Sequence, residues 1–108
     1  MVDQLTDATF KQAIAGSLPV IVDFWAEWCG PCKQLGPIFE KVSNDFKGRL
    51  NFAKLNVEEH QDIAAEYGVM GIPCMILFKN RQEVDRIVGA MPEASLKGKI
   101  EELLSSFK

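Results

Sequence analysis

Residues Val20-Ile21-Val22-Asp23-Phe24-Trp25 hold five large apolar side chains in six positions, with no alternation between apolar and polar. Successive strand residues point to opposite faces, so a strand apolar on both faces must be covered on both. The stretch therefore predicts an interior strand of a sheet with layers packed above and below it. The rest of the chain supplies those layers. Phe10, Ala13 and Ile14 recur at helical spacing behind Thr6-Asp7, a capping region. Leu35, Ile38, Phe39, Val42 and Phe46 mark one face of a helix that ends at Gly48, with Pro37 inside it as a kink. Ile63, Ala64 and Tyr67 predict a short helix closed by Gly68, and Leu96, Ile100, Leu103, Leu104 and Phe107 form the stripe of a C-terminal helix. Residues 50–57 read as a second apolar strand, and residues 75–78 and 84–88 as two more, joined through Lys79-Asn80-Arg81-Gln82 as a hairpin. Strand–helix–strand alternation followed by a hairpin and a helix predicts an α/β sandwich: one mixed sheet with helices on both faces.

The 108 residues amount to a single domain over residues 1–108, large enough to bury a core without disulfide staples or a metal. A net charge of −3 and the lack of a basic stripe exclude nucleic acid as a general partner. The first residues lack the basic and apolar regions of a secretory signal, and no apolar run approaches the roughly 18 residues of a membrane helix. A cytoplasmic protein with no membrane association is the expectation.

Three cysteines remain to be explained, two of them in Cys29-Gly30-Pro31-Cys32 directly after the apolar strand. In a reducing compartment, closely spaced cysteines mean catalysis or metal more often than a permanent bridge. Zinc requires about four ligands, commonly in two close pairs, and the remaining soft ligands, Cys74 and His60, are not paired. Haem attachment requires a histidine where Lys33 stands. A purely structural disulfide has little to hold together over so short a loop. A redox centre is the reading favoured. Pro31 suits the first turn of a helix and puts Cys29 at or beside its N-cap, where unpaired N–H groups and the helix dipole favour a thiolate. Cys32, three residues on, faces back within disulfide reach. Cys29 is then the exposed nucleophile and Cys32 the resolving thiol, with Gly30 leaving room for an incoming substrate.

Trp28-Cys29-Gly30-Pro31-Cys32-Lys33 resembles the active-site motif of the thioredoxin family, and Val22-Asp23-Phe24-Trp25-Ala26 resembles the strand that leads into it. Gly71-Ile72-Pro73 is similar to the family's cis-proline loop, Gly89 matches a family position after the last strand, and the likeness runs through the whole chain in order. The resemblance implies the thioredoxin fold, a central mixed sheet of five strands flanked by four helices. It implies general reduction of disulfides in client proteins, recycling by a thioredoxin reductase, no cofactor beyond the Cys29–Cys32 disulfide, no metal, and a monomer. The effect of a helix terminus on the first cysteine is a property for which this family is itself the standing example, so its direction here is expected rather than new. Gly-Pro between the cysteines resembles the reductase form of the motif, whereas oxidases and isomerases on this fold usually carry histidine there. A binding module that uses the same surface with idle cysteines is the alternative from another class.

The resemblance also assigns roles one by one. Asp23, an acid inside an apolar strand, should have its pKa raised by burial, and the family's matching acid is proposed to move the proton of the second cysteine. Lys54 is another charge inside an apolar strand. The family pairs it with the acid, and the alternative is an ammonium that snorkels to the surface. Pro73 would be trans by base rate and cis by resemblance. A cis bond turns the Ile72 backbone toward the cysteines, ready to pair with an extended substrate. Trp28, Gly30, Pro31, Ile72, Pro73, Gly89 and Ala90 would form a flat apolar docking patch, with Trp25 packed as structure. Cys74 departs from the family, which usually has threonine there, and should lie close to the working pair. It reads as an inert buried thiol, a redox-regulatory thiol, or a ligand to a metal or iron–sulfur cluster, within one chain or across a dimer. His60 is expected on the surface at a helix start, with no chemistry.

Overall fold

The computed structural model describes residues 2–106; Phe107, expected on the last helical stripe, lies outside the described residues. The order of elements is β1 (Val2–Gln4), α1 (Asp7–Ala13), β2 (Val20–Trp25), α2 (Gly30–Ser43), β3 (Asn51–Asn56), α3 (Gln61–Glu66), β4 (Cys74–Lys79), β5 (Gln82–Val88) and α4 (Glu93–Ser105). The strands form one sheet in the order β1-β3-β2-β4-β5. β1 and β2 pair with β3 in parallel, while β4 pairs antiparallel with β2 and β5. This is the mixed five-stranded sheet with four helices that the resemblance implied.

β2 lies in the middle of the sheet, and its alternation divides the core. Ile21 joins Phe52, Met75, Leu77 and Ile87 on the face covered by Leu35, Phe39 and Val42 of α2 and Leu96, Ile100 and Leu103 of α4. Val22 and Phe24 join Leu55, Cys74, Ile76 and Phe78 on the face covered by Phe10 of α1 and Ile63 of α3. Phe10 meets Phe78 edge to face at 5.6 Å, and burying a ring of that size is worth about 3 kcal/mol. Asp23 follows the alternation to the α2 and α4 side.

Local chemistry sets the ends of the elements. The Thr6 N–H donates to Thr9 Oγ1 at 2.9 Å, closing the start of α1. Asn80 and Arg81 have φ of 52° and 69° and make a two-residue hairpin turn, a shape that suits the twist of the flanking strands. Gly68, at φ 62°, ends the turn after α3, where a left-handed residue closes a helix. The helix expected to reach Gly48 stops at Ser43, and a 3₁₀ turn over Asn44–Phe46 carries Phe46 into the core. α2 runs through Pro37 without ending there. β1, absent from the sequence reading, is a three-residue edge strand made by pairing with β3.

Candidate functional site

β2 ends at Trp25, and four residues later the chain enters α2, with Cys29 as its N-cap and Pro31 in its first turn. The Cys32 N–H donates to Cys29 Sγ at 3.2 Å, and Cys29 and Cys32 are joined as a disulfide with Cα atoms 5.2 Å apart. That donor and the dipole of a 14-residue helix both favour negative charge on Cys29 Sγ when the bridge opens. The Ile72–Pro73 peptide bond is cis, and the Ile72 carbonyl oxygen lies 3.9 Å from Cys29 Sγ, placed to accept a thiol proton in the reduced form.

Cys29 does not protrude. It is 4% exposed and Cys32 2%, packed with Ala26, and Trp25, Val57 and Ile72 close over them. The expected exposed nucleophile is a covered one, because apolar neighbours from the end of β2, the turn after β3 and the loop before β4 pack around the bridge. Trp28 beside it is 68% exposed. Gly30, Pro31 and Ala90 are exposed and Ile72 and Gly89 half-buried, but Pro73 is buried and cannot present its ring to a partner. Two further apolar side chains flank this surface: Met70 is 97% exposed and Val88 63%. The signal for Met70 was an apolar residue in the turn of Gly68-Val69-Met70-Gly71, next to the proline loop.

Asp23 is buried, and its Oδ1 has no hydrogen-bond partner. Burial pushes its carboxyl up to about 7, with the nearby charge of Lys54 opposing that rise. Lys54 is its register partner on β3, yet no contact ion pair joins them. The ammonium lies over the Trp25 ring, 5.3 Å from its centroid. The expected pairing is thus electrostatic and at a distance. A cavity of about 230 Å³ is lined by Asp23, Trp25, Glu27, Cys32, Lys33, Gly36 and Lys54, large enough for water, with the buried Trp25 Nε1 also unpartnered. It connects the carboxyl to the neighbourhood of the resolving sulfur.

Cys74 lies apart. It is two residues from Ile72, but its side chain belongs to the core under α1 and α3 and not to the cluster around the pair. Burial pushes its thiol up, with Arg86 acting the other way. Among the described residues, no group of three or more His, Cys, Asp or Glu is arranged to hold a metal ion. His60 is the N-cap of α3, with Nδ1 3.3 Å from the Asp7 carboxylate. No helix is long and apolar enough to cross a membrane among the described residues.

The family model for thioredoxin matches residues 1–102. The chain belongs to the thioredoxin family. It is 41% identical over 102 residues to thioredoxin 1 of Nostoc sp., covering 94% of this chain and 95% of that protein. It is 42% identical over 102 residues to the thioredoxin of Synechocystis sp., with the same shares covered. With the thioredoxin of Rickettsia felis the identity is 45% over 97 residues, covering 89% of this chain and 92% of that protein. Together with the Cys29–Cys32 bridge at the head of α2, this makes the protein a thiol–disulfide oxidoreductase acting on disulfide-containing substrates.

Proposed function

We propose that this member of the thioredoxin family is a general protein-disulfide reductase, recycled by a thioredoxin reductase and working as a cytoplasmic monomer with no cofactor beyond its own cysteine pair. The observation that carries the reading is the Cys29 sulfur at the N-terminus of α2, with the Cys32 N–H directed at it and the Ile72 carbonyl facing it. In the reduced protein the Cys29 thiolate attacks one sulfur of a client disulfide. A new S–S bond forms, the client bond breaks, and one client sulfur leaves as a thiolate. Cys32 then loses its proton and attacks Cys29 Sγ. The internal bridge closes, and the second client thiolate departs. Two electrons and two protons have passed from the pair to the client. Asp23, with its carboxyl titrating near neutrality across the shared cavity, serves as the acceptor of the Cys32 proton through water.

Trp28, Gly30, Pro31, Ile72, Gly89 and Ala90 form the surface that grips the client, with Met70 and Val88 extending it. The unpaired backbone before Pro73 supplies strand-like pairing to an extended segment. Reduction of insulin disulfides in the presence of a bacterial thioredoxin reductase and NADPH tests the reading. Turnover that vanishes in Cys29→Ser is the expected result. Absent turnover in the parent, with client binding that survives replacement of both Cys29 and Cys32 by serine, points to a binding module instead.

A further inference from the structure

The loop that faces the cysteines hangs between two fixed ends. Where α3 finishes, the Val69 N–H donates to the Ala64 carbonyl at 2.9 Å; where β4 starts, the Pro73 carbonyl accepts from the Gly89 N–H at 2.8 Å. Between those ends residues 70–72 make no backbone–backbone hydrogen bond among the described residues. Such a stretch is free to pair with an extended peptide, but it has nothing of its own to hold it in register.

Arg86 supplies a hold from the neighbouring strand. Its Nη2 donates to the Tyr67 carbonyl, the residue that caps α3, at 2.9 Å. Its Nε and Nη2 donate to the two carboxylate oxygens of Glu83, each at 2.6 Å, a forked geometry that fixes the guanidinium plane. The positive charge of the same guanidinium also acts on the buried Cys74 thiol, against the rise that burial causes. One side chain on β5 therefore ties the end of α3 to the strand that carries Val88. Val88 and the loop are already adjacent, since a Cβ placed on Gly71 would lie 3.8 Å from Val88 Cγ1.

We propose that Glu83 and Arg86 form a clamp that positions the client-docking loop, so that Arg86 is a positioning residue for protein substrates. The clamp sets residues 68–73 against β5, and with them the exposed Met70 and the carbonyl that faces Cys29. Loosening it leaves the cysteine chemistry in place and weakens the grip on an extended client. This rests on the proposed reduction of protein disulfides.

The test is steady-state kinetics with two substrates: insulin, which offers peptide to dock, and the small aromatic disulfide DTNB, which does not. For Arg86→Met the KM for insulin should rise about tenfold, the scale set by a charge-assisted hydrogen bond, with kcat within about twofold and a smaller loss on DTNB. Glu83→Gln should move the same way by less, and Arg86→Lys should restore part of the loss. The proposal is overturned if insulin and DTNB kinetics fall together, or if only thermal stability falls, the mark of a plain helix-end cap. If Arg86→Met does not fold, Glu83→Gln on the exposed side of the fork carries the same comparison. A wild-type protein that reduces DTNB but not insulin overturns the underlying reading before any variant is made. Wild-type insulin turnover with unchanged KM in both variants overturns the clamp alone.

Discussion

Cys29 and Cys74 are almost equally hidden, at 4% and 1% exposure, and both stand where a loop passes into a regular element. Cys29 caps a helix, receives the Cys32 N–H and is bridged to Cys32. Cys74 begins a strand among Phe24, Ile76 and Phe78, where burial holds its thiol protonated. The contrast teaches that access does not sort the sulfurs of this chain. Donors and the dipole of a helix end favour a thiolate in one place, and an apolar core disfavours it in the other.

The largest effect expected from breaking this contrast is at the pair. Cys29→Ser should lower insulin reduction by about a thousandfold or more, the scale on which loss of a nucleophile acts. Cys74→Ala should keep the rate within about twofold and cost on the order of 1 kcal/mol in urea unfolding, as a modest core truncation does. Comparable rate losses in both variants would erase the distinction.

Asp23 sharpens the comparison, because it places a buried acid on the side of the sheet that serves the pair. Its carboxyl is raised to about 7 in the folded protein, so folding opposes its ionisation. Below the ordinary aspartate range both folded and unfolded forms are protonated, and the group contributes nothing. As pH rises from about 4 to about 7 the unfolded chain ionises first, so this group lowers stability progressively, and above about 7 the penalty is complete. Asp23→Asn should therefore be more stable than the parent at pH 8 by at most about 4 kcal/mol, with the gap closing toward pH 4. Urea unfolding at several pH values measures it, and a gap independent of pH contradicts the assignment. The same variant should flatten the pH dependence of turnover near neutrality. The smallest effect is at Lys54, whose charge opposes the rise at Asp23. Lys54→Met should move the Asp23 carboxyl further up, seen as an upward displacement of the pH profile of turnover.

Much of this was legible in the chain. Five large apolar residues in six positions made β2 unmistakable, and Asp23 stood out as the acid among them. The Pro31 position was enough to place the helix start and, with it, the Cys29 cap. Other features were not readable for identifiable reasons. β1 has three residues and no periodicity, and it exists only because its backbone finds β3. The apolar spacing of α2 runs on to Phe46, so the spacing overran a helix that becomes a 3₁₀ turn at Asn44. The cover over Cys29 comes from Val57 and Ile72, distant in sequence. Arg86 on an exposed edge strand looks like any solvated charge until Tyr67, 19 residues away, is brought under it. The side of the sheet that Cys74 joins was not readable either, because it follows the loop residues Ile72 and Pro73 with their cis bond and is the first residue of β4.

The central claim is that the pair at the head of α2 is the redox couple and that the core thiol stands outside it. A titration in glutathione buffers, with alkylation and mass spectrometry resolving each cysteine, tests this most directly. The prediction is that Cys29 and Cys32 oxidise together as one two-electron couple at a potential below roughly −220 mV, while Cys74 is alkylated only after denaturation. A bridge that captures Cys74, or a pair that oxidises only in strongly oxidising buffer, would contradict it.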